Sequence, residues 1–578
     1  MLDRKAVHDD RPAASDASPA LPDTAAPLLE LQEGPFPASV GERERMNLLG
    51  LAETSVEGFT DDASAVAEVW CRSAGWTSRP AERTLEGRVV EVLHLADEHL
   101  SRLDEYRDYW ADSQDAYISL ADKIIGETAL LALVADRYAG QRPQVRMLVD
   151  RLARSLDPLV RSIRNEALIR RYPNSALTLA CGHAALTAIG VVGPEFDRLV
   201  KSILACDPLD CSERIPFRAM ERRWMTGLLY PGMEPSFDDL LPMSIATRPA
   251  HPIHMLSTDV YALTHVPMFV TDFGATPAPA AFPHALCRDS LDATAAWVLH
   301  TDNFDLMGEL VLARELLGAP WTPSHLLAWK TLEHAWDKLG FLASPSFAIK
   351  EFTELPVEER ASYAFRHIYH TTYVAGMLSA VMLSSASAAQ PQVAGPCRLT
   401  AAESSALRQE CRDAFTAAIE FCTGTPIAHD DIAHLSAVAG QSTGEPPLPA
   451  IRRLMSIWGQ RDSKATGTVT HVLDKAGLTD AAVASSLADG LLTCAARSYD
   501  LAMLADLLRV VTSTGLPVTP TVAAAARFLM RQQLPSGAIG CWFLAPQSGA
   551  SATTARVTTV LASALGALST HPGLRECS

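Results

Sequence analysis

Two stretches of this chain decide how it is read: NFDLMGELVLARELLGAPWTP at 303–323 and SYDLAMLADLLRVVTSTGLPVTP at 498–520. Each begins at a polar capping residue and runs through an apolar helix. Each then reaches a glycine, Gly318 or Gly515, and closes on a Thr-Pro pair, Thr322-Pro323 or Thr519-Pro520. A side-chain cap before a helix, glycine after it and proline in the first turn of the next are the marks of a helical hairpin. Matching Asp305-Leu306 with Asp500-Leu501 sets the copies 195 residues apart at their start and 197 at their end. A hairpin cannot bury both of its faces alone, so repeated hairpins must stack.

Helical periodicity extends in both directions and never gives way to strand-like alternation. Helices are expected at 115–138, 143–169, 175–189 and 194–205, after an amphipathic segment opened by Pro80. Proline and glycine clusters around 231–253 mark a boundary. The fold class is therefore all-α, with three parts: a disordered tail (1–40), an N-terminal helical domain (41–245) and an (α/α) toroid of helical hairpins (246–578). Gln532 and Gln533, with Gly537, Gly540 and Trp542 behind them, resemble the Gln…Gly…Trp turns of the terpene-cyclase toroids, where Gln and Trp tie adjacent hairpins. That resemblance implies architecture. No D-x-D-D motif is present, and Asp238-Asp239 is followed by Leu-Leu-Pro, so neither the acid nor the metal chemistry of that family is expected.

Composition excludes several classes. Hydrophobic residues make up 48% and charged residues 20%, enough for a large core and too little charge for a mostly disordered chain. A net charge of −18 repels nucleic acid and anionic lipid. The arginines at 161, 164, 170 and 171 read as a solvated helix face. Tyr373 to Leu383, the richest apolar window, falls short of the roughly 20 residues a bilayer span requires. No secretory signal follows the opening MLDRKAVHDD, and the eleven cysteines form no C-x-x-C pair, so a reducing cytoplasmic location is expected.

Three segments carry the polar residues that chemistry could use. In YALTHVPMFVTDFG (261–274), His265 and Asp272 stand two helical turns apart and share a face if the helix survives Pro267. Asp305 and Glu309 stack four apart on an apolar helix, where like charges repel unless something positive lies between them. The second hairpin has Leu504 where Glu309 would fall. His370 and Thr371 sit in YHTTY (369–373), a polar patch in another long helix, with His367 one turn earlier. A shared cluster would satisfy all of them together. The expected site has His265, Asp272, Glu309, His370 and Thr371 as catalytic residues, and His265, Asp305, Glu309 and His370 as ligands if the cofactor is a divalent metal. Asp272 is expected to orient one imidazole.

These segments, in this order, resemble an uncharacterised family found mainly in high-GC actinobacteria, over roughly 255–385. The resemblance implies one site-like region and transfers no activity. Other pairs carry less: His251 with His254, Asp430 with His434, and Cys181-Gly-His183, which resembles the Cys-His-Gly zinc motif of the lanthionine cyclases but differs in order. No Walker, dinucleotide, H-E-x-x-H or G-x-S-x-G motif occurs. The functional expectation is an enzyme of bacterial specialised metabolism, of cyclase, lyase or metal-assisted type, acting on a small-molecule or peptide substrate with no nucleic-acid or membrane partner. The alternative is a non-catalytic scaffold that binds a peptide or carrier protein.

Overall fold

The computed structural model describes residues 84–574 except 108, 110–117, 206–213, 231, 233–234, 302, 386–396, 424–446, 460–471, 474–479 and 541–549. The expected tail (1–40), Cys206, Cys211, Asp430, His434 and Trp542 lie outside the described residues. The described residues form helices joined by turns and loops, with an isolated bridge between Gln533 and Ile539 and no strand among them. No helix among them is long and apolar enough to cross a membrane.

The helices are α1 (Leu85–Leu100), α2 (Leu120–Ala139), α3 (Pro143–Val160), α4 (Ile163–Arg171), α5 (Ala176–Ile189), α6 (Pro194–Leu204) and α7 (Pro216–Leu229). There follow α8 (Ser257–Val270), α9 (His284–Val298), α10 (Phe304–Leu316), α11 (Pro323–Leu339), α12 (Ile349–Glu354) and α13 (Val357–Ser385). The last are α14 (Ala401–Thr423), α15 (Pro447–Gly459), α16 (Ala481–Arg497), α17 (Leu501–Thr514), α18 (Pro520–Met530) and α19 (Ala550–Ser569). The single helix expected over 143–169 is two. Ser162 has extended backbone and caps α4 by accepting from the Asn165 amide, so the chain breaks there.

The duplicated hairpins are α10–α11 and α17–α18, and their capping chemistry corrects the repeat register. Asn303 caps α10 through the Leu306 amide, and Asp500 caps α17 through the Met503 amide. The structural partner of Asp500 is therefore Asn303, and one offset of 197 holds from cap to Thr-Pro. Asp305 then corresponds to Ala502 and Glu309 to Asp506, so the second copy keeps an acid opposite Glu309 and none opposite Asp305. The preceding helices α9 and α16 belong to the same repeat and pack on each other. Both copies keep one bond: Thr322 Oγ1 donates to Asp292, and Thr519 Oγ1 donates to Asp489 at 2.6 Å.

Gln532 and Gln533 each bond a residue outside their own turn. Gln533 Nε2 donates to the Ala414 carbonyl of α14 at 2.8 Å, and Tyr499 Oη donates to Gln532 Oε1 at 2.9 Å. The turn needs Gly537 (φ 91°), because a Cβ there would lie 2.2 Å from the Ala417 carbonyl oxygen.

Helix α13 is the central member of the other half. Helices α1 and α2 lie along it on one side and α10 on another, while α8 packs between α7 and α10. Contacts therefore run across residue 245, and the polar residues of α2, α8, α10 and α13 can meet. Close approach is built in at Gly308 and Gly376, where a Cβ would press on Val374 and Val92.

Candidate functional site

Helix α10 presents Asp305 and Glu309 one turn apart, both buried. Helix α13 brings His370 against them: its Nε2 lies 3.6 Å from Asp305 Oδ1 and 3.8 Å from Glu309 Oε1. One ligand atom from each of the three lies within 4.8 Å of the others. These separations exceed hydrogen-bond reach. They approach the roughly 3.4 Å between ligands that a tetrahedral ion sets when each bond is about 2.1 Å.

Every member of the trio is held by a further group. His370 Nδ1 donates to Glu127 Oε2 of α2 at 3.0 Å. Thr371 Oγ1 donates to Asp305 Oδ1 at 3.2 Å, and Thr264 Oγ1 of α8 donates to Glu309 Oε2 at 2.6 Å. A carboxylate behind a histidine leaves Nε2 as the open nitrogen and makes it more basic, an arrangement common behind metal-bound histidines.

The charges explain the titration. Burial raises the Asp305 carboxyl above its usual range; His370 opposes that, and the Glu309 charge adds to it. Burial also works against ionised Glu309, but the neighbouring His265 and His370 hold its carboxyl below the usual range. At His370 burial disfavours the cation, yet Glu127 and Asp305 outweigh it and push the imidazole well above its ordinary value. Glu127 falls to about 2, burial being outweighed by His370 and by Lys123 at 3.7 Å. With Glu127 offset by Lys123, Asp305 and Glu309 share one imidazolium. The cluster compensates by keeping a proton.

His265 stands beside the trio rather than in it. Its Nδ1 donates to the Tyr261 carbonyl at 2.8 Å and lies 3.6 Å from Glu309 Oε2. Its ring keeps 23% of its exposure and lines a cavity of about 1400 Å³. Phe217, Trp224, Tyr261 and Phe269 form an aromatic wall around it, with ring centroids 5.7 Å (Phe217) and 5.9 Å (Tyr261 and Phe269) from His265.

Asp272 does not join the site. Helix α8 survives Pro267 but ends at Val270, and Asp272 and Phe273 then turn through positive φ, 48° and 51°. This reversal takes Asp272 off the His265 face. Its carboxylate receives both Arg137 terminal nitrogens, at 3.1 and 2.9 Å, and Trp224 Nε1 at 2.6 Å. Tyr138 Oη donates to the Phe273 carbonyl and helps hold the strained turn. Asp272 orients the indole of the cavity wall and no imidazole.

Of the four ligands expected, three converge and His265 lies outside the three-atom cluster. Glu127 was missed. Its signal is a lone acid in the apolar run IIGETALLALV (124–134). The weaker pairs hold no metal cluster among the described residues: His251 bonds Thr521, His254 approaches Arg531, and His183 bonds Arg161.

A family described as "Domain of unknown function (DUF6895)" matches residues 89–380, just over half of the chain, and its span includes α2, α8, α10 and most of α13. No curated protein and no solved structure matches the chain.

Proposed function

The chain belongs to the DUF6895 family, and we propose that it is a metal-dependent enzyme whose divalent ion is held by Asp305, Glu309 and His370. The observation that carries this is the trio with its backing: three ligand atoms within 4.8 Å, a carboxylate on the far nitrogen of the histidine and a threonine on each acid. One nitrogen and two carboxylate oxygens suit manganese, iron(II) or zinc. Three protein ligands leave positions for water or substrate, and a bound ion polarises an oxygen placed there. His265, which lines the same cavity, is in its neutral form the base that removes a proton from a substrate so held. This is the proton-transfer chemistry of lyases and cyclases, in line with the role in specialised metabolism expected from the sequence. The stacking of the two hairpin copies through α9 and α16 supports the toroid reading of 246–578. Electron paramagnetic resonance of Mn²⁺ added to the protein tests the proposal. Nitrogen coupling is expected in the wild type and absent in His370→Asn. A spectrum of free, hydrated Mn²⁺ in the wild type would refute it.

A further inference from the structure

The same cavity contains a second polar feature, away from the trio. Arg366 precedes His370 by four residues on α13, so both side chains lie on one face, about 6 Å apart along the axis. Both line the cavity, together with Ser344, Ser346 and His367.

Most of the cavity's cations are engaged. Arg164 pairs with Asp122, Arg218 with Glu221, Arg107 with Asp104 and Lys123 with Glu127. Arg214 donates to the Asn174 carbonyl. Arg366 makes no ion pair or hydrogen bond with the described residues, and its Nε is buried without a partner. Two aromatic faces hold it instead: its guanidinium carbon lies 3.9 Å from the Tyr109 ring centroid and 5.7 Å from that of Tyr363. Stacking fixes the plane of a guanidinium without using any of its donors.

Two hydroxyls that line the same cavity are also held. Ser344 and Ser346 lie 2.7 Å apart through Oγ, and Ser346 Oγ is 2.8 Å from His367 Nδ1. The Ser344 amide donates to the His367 carbonyl at 2.8 Å, which pins this loop to the turn of α13 that carries Arg366. Burial and then the Arg366 charge lower His367 to about 4, so its ring is neutral and does not repel the guanidinium.

We propose that Arg366, with Ser344 and Ser346, forms an anion subsite, and that the substrate is an organic anion whose carboxylate or phosphate lies about one helical turn from its reacting atom. A planar fork whose donors meet no acceptor among the described residues, in a cavity that two hydroxyls also line, fits oxygen anions of either kind. The aromatic wall of Phe217, Trp224 and Phe269 accommodates an apolar body between the two polar ends. The proposal rests on the metal reading for where the reaction occurs, but not for the binding of the anion.

Calorimetric titration with benzoate, phenyl phosphate and the neutral benzyl alcohol tests it, using EDTA-treated protein at low ionic strength. At least one anion should bind more tightly than benzyl alcohol. Phosphate preference and carboxylate preference each identify the substrate class. Arg366→Gln should weaken that anion by roughly tenfold or more, the loss of one charge-assisted bond pair. Arg366→Lys, which keeps the charge and loses the fork, should fall between. If Mn²⁺ fails to bind while the anion response depends on Arg366, the metal reading fails and the subsite stands. If no anion exceeds benzyl alcohol, or a folded Arg366→Gln or Arg366→Lys variant binds it as well as wild type, the subsite is overturned.

Discussion

Replacing Glu127 by Gln should weaken divalent-metal binding although Glu127 contributes no ligand atom. Its Oε2 accepts from His370 Nδ1 at 3.0 Å, and its carboxyl, at about 2, is fully ionised at neutral pH. A charged acceptor on Nδ1 fixes the tautomer that leaves Nε2 free and raises the basicity of that nitrogen. Glutamine preserves the shape and offers a neutral oxygen, so orientation survives and the charge is lost. Supporting changes of this kind cost roughly 10–100-fold in metal affinity, about 1.4–2.7 kcal/mol. The assay is calorimetric titration of EDTA-stripped protein with Mn²⁺ at one pH, beside Glu221→Gln as control. Glu221 lines the same cavity and pairs with Arg218, so its removal changes the local charge without touching His370. The expected result is a loss in Glu127→Gln and affinity near wild type in Glu221→Gln. Affinity in Glu127→Gln within about twofold of wild type, or equal losses in both variants, would refute the reasoning.

Asp272→Asn should lower the urea midpoint, costing about 1–3 kcal/mol through its bonds to Arg137 and Trp224, while leaving Mn²⁺ affinity unchanged; a fall in affinity would put Asp272 back in the site. Gly490→Ala should destabilise by about 1–3 kcal/mol through overpacking, because its Cβ would lie 2.1 Å from the Ala296 carbonyl oxygen where α9 meets α16; an unchanged midpoint would mean that these helices do not pack as described. Stability should also decline in acid. Burial lowers His99 and His251 to about 3 and His183 and His300 to about 4, so below about 6.5 the unfolded chain binds more protons than the folded one. The stability is intact above that value and lost as pH falls towards 3–4, at up to about 1.4 kcal/mol per pH unit for each histidine. Equal urea midpoints at pH 7 and pH 5 would contradict this.

The residues that could be read from the sequence are those that break a local rule. Asp305 and Glu309 stand out because two acids one turn apart on an apolar helix need a positive neighbour, and His370 is that neighbour. Thr371 belonged to the same polar patch and does bond Asp305. Asp272 misled because its spacing from His265 holds only while the helix continues, and α8 ends at Val270, before Asp272 itself turns to positive φ. The sequence equally allows Thr271-Asp272-Phe273-Gly274 to end the helix, and Arg137, Tyr138 and Trp224 hold that turn from other helices. Glu127 lies 243 residues from His370, and no periodicity links positions so far apart. The hairpin repeat was legible from its Gly and Thr-Pro marks. Its register was not, because the letters Asp-Leu align at 195 while the capping role aligns Asn303 with Asp500 at 197.

The central claim is that Asp305, Glu309 and His370 hold one divalent ion, and metal stoichiometry tests it most directly. Protein stripped with EDTA is dialysed against Mn²⁺, and in parallel against Zn²⁺, then freed of unbound ion and analysed for metal per chain. The account predicts one ion per chain in the wild type, loss of that ion in folded Glu309→Gln and Asp305→Asn, and retention in Asp272→Asn. A wild-type chain that retains neither metal, or a Glu309→Gln chain that retains as much as the wild type, would contradict it.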